Sequence, residues 1–113
     1  MQTALQNTAD IADGEMRAFR IGETDVLVCR VDGQLFAVEN VCSHHETRLC
    51  DGALHGHLVE CPLHFAQFDV RDGSHRGPPA FTGIRTFPIS AGGIVTIEPA
   101  ETIFDPGAVP QSR

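Results

Sequence analysis

Apolar residues along this chain come in short runs that a turn residue soon interrupts. "EMRAFRI" (15–21), "DVLVCRV" (25–31) and "QLFAVEN" (34–40) are β-branched or aromatic runs of strand length, and none keeps helical spacing. Later runs are "GHLVEC" (56–61), "AQFDV" (66–70), "IRTFPI" (84–89) and "GIVTIEP" (93–99). Asp32-Gly33 and Gly92-Gly93 provide hairpin turns, because glycine accepts positive φ, and Asp51-Gly52 and Asp72-Gly73 mark further reversals. Pro88 cannot donate to a ladder, which places it at a strand edge or bulge. Segment 8–16 allows one helical turn at most before Gly14. The pattern predicts an all-β domain, a small antiparallel β-sandwich or barrel of seven strands. It spans 1–113 as a single unit, with a core at about 10–99 and a Pro-rich C-terminal tail at 100–113.

Composition narrows the function. A formal charge of −7 argues against nucleic acid and anionic membrane, both of which require a basic face. All eight basic residues are Arg, which is read first as composition bias. The first fourteen residues lack the basic start and apolar run of a signal peptide. The longest purely apolar stretch, "VLVC", is far short of a membrane span. A cytoplasmic location follows as the default. Four cysteines in that reducing compartment point to ligands or packed residues rather than disulfides.

Candidate chemistry concentrates in "CSHHETRLCDGALHGHLVECPLH", residues 42–64, which holds three of four cysteines and five of six histidines. Cys42-Ser43-His44 and Cys61-Pro62-Leu63-His64 are two boxes that each offer one thiolate and one imidazole. Sixteen residues separate them, with a turn of their own at Asp51-Gly52. Two such loop tips side by side would present two Cys and two His to one centre. Zinc accepts that donor set, although zinc modules usually pair Cys with Cys and His with His, often with a helix.

The C-x-H…C-x-x-H layout resembles the Rieske [2Fe–2S] motif, with Cys42, His44, Cys61 and His64 at the matching positions. "GEMRAFRIGETDVLVCRVDGQLFAVENVCSH", "LVECPLHFAQFDVRDGS", "GPPA" and "IRTFPI" extend the likeness to the small Rieske ferredoxins of bacterial aromatic-ring dioxygenase systems. The resemblance implies a Rieske fold with a cluster-binding subdomain of two loops, shielded by Gly77-Pro78-Pro79. It implies that Cys42 and Cys61 hold the inner iron of a [2Fe–2S] cluster and His44 and His64 the outer one. The imidazole edges would be the exit for the electron, and their ring N–H groups would grow more acidic on oxidation, so that the potential falls in alkali.

Replacing two thiolates by neutral imidazoles raises such a cluster into a window of about −150 to +300 mV. High-potential relatives place Ser and Tyr hydroxyls near the sulfurs, and this chain has Ala66 and Phe68 at those places. Leu63 and Thr47 stand where those relatives carry a loop-bridging disulfide. A low-potential carrier is implied. It would shuttle single electrons from a flavoprotein NAD(P)H reductase to a terminal Rieske oxygenase, as a monomer and without being an enzyme itself. Nothing after residue 64 supplies two His and a carboxylate for a mononuclear iron, since His75 stands alone.

The other residues read plainly. His45 faces solvent in the first loop, His55 and His57 are a solvated pair flanking Gly56 at the start of a strand, and His75 is an exposed turn residue. Cys50 packs in the cluster loop with some exposure to oxidation, and Cys29 is core. The competing functions are a Rieske-type small subunit of an assimilatory reductase and, from a different class, a zinc-stabilised β binding module.

Overall fold

A computed structural model describes residues 2–42, 47–62, 66–76 and 83–97. The His44, His64, His45 and Gly77-Pro78-Pro79 expectations, and the tail at 100–113, lie outside these residues. Within them are nine strands and no α-helix: β1 (Gln2–Ala4), β2 (Met16–Ile21), β3 (Thr24–Val31), β4 (Gln34–Glu39), β5 (Ala53–His55), β6 (Leu58–Glu60), β7 (Gln67–Asp69), β8 (Thr86–Phe87) and β9 (Ile94–Thr96). Short 3-10 turns occupy Thr8–Asp10 and Leu49–Asp51. None of these elements is a helix long and apolar enough to cross a membrane.

The strands form three antiparallel sheets: β2-β3-β4-β8, β5-β6-β7, and the pair β1-β9. The four-stranded sheet lies between two cores, because its central strands are apolar on both faces. Leu27 and Cys29 of β3, with Val38 of β4, pack with Leu49, Val59, Phe68, Cys42 and Cys61. Val26 and Val28, with Leu35 and Ala37, face the other way onto Ile11, Phe87, Val95 and Ile97. That two-sided burial is why "VLVC" reads as a continuous apolar run rather than an alternating one.

Turn chemistry follows the glycines. The β3–β4 hairpin turns through Asp32 and Gly33, both at positive φ (53° and 82°), as a tight two-residue turn requires. Pro88 follows β8 on the edge of the four-stranded sheet, exposed, and its carbonyl accepts from Thr96 N–H.

The structure corrects one strand, adds another and gives one reversal its physical reason. The strand expected at 56–61 is a hairpin: β5 ends at His55, Gly56 turns at φ 61°, and β6 starts at Leu58. Strand β1 was not expected, because its three residues have no apolar pattern and are held by pairing with β9. The reversal at Asp51-Gly52 does not depend on positive φ. Gly52 ends the second 3-10 turn, and a Cβ there would collide with the Glu60 carbonyl at the end of β6.

Candidate metal centre

The two boxes sit on different scaffolds but open alike. Cys42 follows β4, and its N–H donates to Thr47 O at 2.9 Å; Cys61 follows β6, and its N–H donates to Ala66 O at 2.7 Å. In both cases a buried cysteine heads a loop that a backbone bond closes five residues later. The second loop joins β6 to β7, whose register pairs Glu60 with Gln67 directly behind it. In the sequence, positions 44 and 64 lie between the residues that these two bonds join.

Cys42 and Cys61 are 2 % and 0 % exposed and belong to one packed cluster, and no disulfide joins the four cysteines. Two buried cysteines of one core, with no disulfide between them, are compatible with thiolate ligation of a metal or cluster. The two thiols fit the cysteine half of a [2Fe–2S] site; the two histidines lie outside the described residues. Ala66 and Phe68, both fully buried in that cluster, bring no hydroxyl to it.

Several groups that support the loops escaped the sequence reading. Arg48 grips Asp25 with Nε to Oδ2 at 2.9 Å and Nη2 to Oδ1 at 3.3 Å. Burial acts to raise the Asp25 carboxyl, but the bonds from Arg48 and Asn40 outweigh it and leave it below the ordinary carboxylate value. Asn40, 1 % exposed, bonds both Asp25 and Cys50. Asp69 is buried at the end of β7, the strand that follows the second loop. It accepts from Arg71 N–H (2.9 Å), Arg71 Nε (3.0 Å), Arg71 Nη2 (2.7 Å) and Arg76 Nη2 (3.1 Å). The Arg71 bonds above all hold its carboxyl far below the ordinary range, against the opposing effect of burial. Its backbone also ties the turn, through Asp69 N–H to Ser74 O and Gly73 N–H to Asp69 O. An acid followed two residues later by Arg, just past a strand, was the available signal.

The remaining candidates separate clearly. Burial pushes the Cys29 thiol up to about 12, so it is a neutral core residue. Cys50 is half-buried against the same core. His55 is exposed and 3.3 Å from Glu60, whereas His57 is half-buried with its ring edge-on to Phe36 at 5.6 Å, so the two are not a solvated pair. His75 is exposed and bridges to Phe68 through the backbone.

A family model described as the Rieske [2Fe-2S] domain matches residues 2–88. The chain is 41% identical, over 80% of its length and 85% of the relative's, to the ferredoxin component of biphenyl 2,3-dioxygenase from Rhodococcus jostii (strain RHA1). Among solved structures it is similar to the Sphingomonas yanoikuyae B1 ferredoxin, with a TM-score of 0.77, 32% identity and coverage of 88% of this chain and 99% of that one. It is also similar to a chain in a complex of reduced oxygenase and oxidized ferredoxin in carbazole 1,9a-dioxygenase. That likeness has a TM-score of 0.71 and 30% identity, over 78% of this chain and 94% of that one.

Proposed function

The chain belongs to the Rieske [2Fe–2S] domain family, and we propose that it is the ferredoxin component of a multicomponent ring-hydroxylating dioxygenase system. It receives single electrons from a flavin-dependent NAD(P)H reductase and delivers them to a terminal oxygenase, as a cytoplasmic monomer. It is an electron-transfer component, not the catalyst. The observation that carries this reading is the pair of buried, unbridged cysteines, each heading a loop closed in the same way.

Cys42, His44, Cys61 and His64 would hold the cluster, one thiolate and one imidazole from each box. When bound, such a cluster supplies a one-electron couple within about −150 to +300 mV. The protein tunes it through what surrounds the sulfurs. Val59, Leu49 and Phe68 exclude water from the cysteine side, and Ala66 and Phe68 carry no side-chain donor for a thiolate. Fewer hydrogen bonds to sulfur leave the reduced, more anionic state less stabilised, which sets the carrier toward the low end of its window. Outer-sphere transfer needs no substrate pocket, only an exposed imidazole edge on a scaffold that does not rearrange.

Mixing the purified holoprotein with NADH and a flavoprotein ferredoxin reductase tests the role directly. Rapid bleaching of the visible spectrum is expected, followed by recovery when a ring-hydroxylating oxygenase, its aromatic substrate and O2 are added. A chain that carries the cluster yet exchanges electrons with neither partner would overturn the assignment.

A further inference from the structure

Strand β4 ends at Glu39, so from residue 40 the backbone leaves its ladder and enters the first loop. Asn40 takes over there. Its Oδ1 accepts from Cys50 N–H at 2.8 Å, its Nδ2 donates to Asp25 Oδ1 at 3.2 Å and to Cys50 Sγ at 3.3 Å, and its own N–H donates to Asp25 O at 2.9 Å. Asp25 in turn grips Arg48 from the far side of the loop. One buried amide and one carboxylate thus tie position 40 to positions 48 and 50, and Cys42 lies between these positions in the chain. Asn40 is oriented by this set of partners: a reversed amide would set its oxygen against the Asp25 carboxylate and its NH2 against the Cys50 N–H.

We infer that Asn40 is the positioning residue of the first ligand loop: its amide locks residues 40 and 50 together, keeps the Cys42 sulfur dry, and thereby sets the reduction potential of the centre and its resistance to loss. The inference rests on the Rieske reading above. Its physical basis is charge. A centre with two thiolates and two neutral imidazoles is nearly neutral when oxidised and anionic when reduced, so water reaching Cys42 favours the reduced state and raises the potential. Opening also becomes easier, because a buried donor and acceptor lose their partners.

Asn40→Ala removes both functions. Asn40→Asp keeps the acceptor for Cys50 N–H but turns a second carboxylate oxygen toward Asp25. The double variant Asn40→Asp/Asp25→Asn restores a donor–acceptor pair with its polarity reversed and leaves the net charge unchanged. The experiment measures midpoint potential, the EPR g values of the reduced protein, and the rate of colour loss to an iron chelator. Asn40→Ala is expected to show a raised potential, and both single variants altered g values and roughly tenfold faster bleaching, the factor that one lost buried hydrogen bond produces in an opening equilibrium; in Asn40→Asp the added negative charge opposes the rise in potential. The double variant should recover part of the bleaching and g-value difference, because the pair to residue 40 is restored while the Arg48 ion pair is lost. If Asn40→Ala does not fold, Asn40→Asp and the double variant carry the same comparison in g values and bleaching rate. Single variants that melt earlier yet keep wild-type potential, g values and bleaching rate would overturn the inference and leave Asn40 a structural residue. A wild-type protein with no [2Fe–2S] signal would overturn the Rieske reading and this inference with it.

Discussion

Asp69→Asn isolates a charge that the fold has committed to its interior. The carboxylate is 2 % exposed at the side chain and accepts four hydrogen bonds, three from Arg71 and one from Arg76. An Asn can still accept from Arg71 N–H, but it loses the charge and sets an NH2 against guanidinium groups. Breaking a fully buried ion pair costs about 3–5 kcal/mol. Here Arg71 and Arg76 are 55% and 52% exposed, so both can turn to water, and the cost falls to about 2 kcal/mol, the worth of one or two charge-assisted bonds. In a chain of 113 residues that corresponds to a melting midpoint lower by roughly 8 °C at neutral pH. The pH dependence carries the sharper signature. Because the folded pKa is depressed, the stabilisation is complete above the unfolded value of about 3.9 and is lost as pH falls from there through the folded value. Melting midpoints by circular dichroism, taken for both proteins from neutral pH into acid, should keep a constant gap down to about pH 3.9 and then draw progressively together below it. An Asn variant with the wild-type midpoint at neutral pH, or a gap that stays constant below that pH, would refute the reasoning.

Other substitutions test other parts of the account. Gly52→Ala drives a Cβ into the Glu60 carbonyl and separates the 3-10 turn from the second box, so urea denaturation should show a loss of more than about 2 kcal/mol. Cys42→Ser and Cys61→Ser should each abolish the visible bands, whereas Cys29→Ser should keep them and cost about 1–3 kcal/mol, as a hydroxyl is buried in an apolar core. Phe68→Tyr brings a hydroxyl into the core shared by Cys42 and Cys61, and redox titration should find a higher potential than wild type.

The middle of the fold was legible because β3 and β4 carry their own instructions. Continuous apolar residues and an Asp-Gly turn specify a hairpin buried on both faces, and the structure places its ends within a residue or two of expectation. The short elements were hidden for a physical reason. Strand β1 has nothing apolar to pattern and exists through pairing with β9 and the bond from Leu5 N–H to Gly93 O. At β5–β6, His57 was read as a strand residue because Gly56 gives no apolar contrast across the turn. The two cysteine boxes were readable from their spacing, and the structure buries Cys42 and Cys61 in one core at the heads of two loops. Their supports were not. Asn40, Asp25 and Arg48 are up to 23 residues apart in the chain, and Asp69 resembles a surface acid until its two arginines are seen around it. Polar residues declare their burial only through partners that the fold brings to them.

The central claim is that Cys42, His44, Cys61 and His64 hold a [2Fe–2S] cluster with mixed ligation. Pulsed EPR of the dithionite-reduced protein reads this most directly. The account predicts a rhombic signal with an average g below the free-electron value and couplings from two coordinated imidazole nitrogens, both absent after Cys42→Ser. A colourless protein with stoichiometric zinc, or a cluster signal without nitrogen coupling, would contradict it.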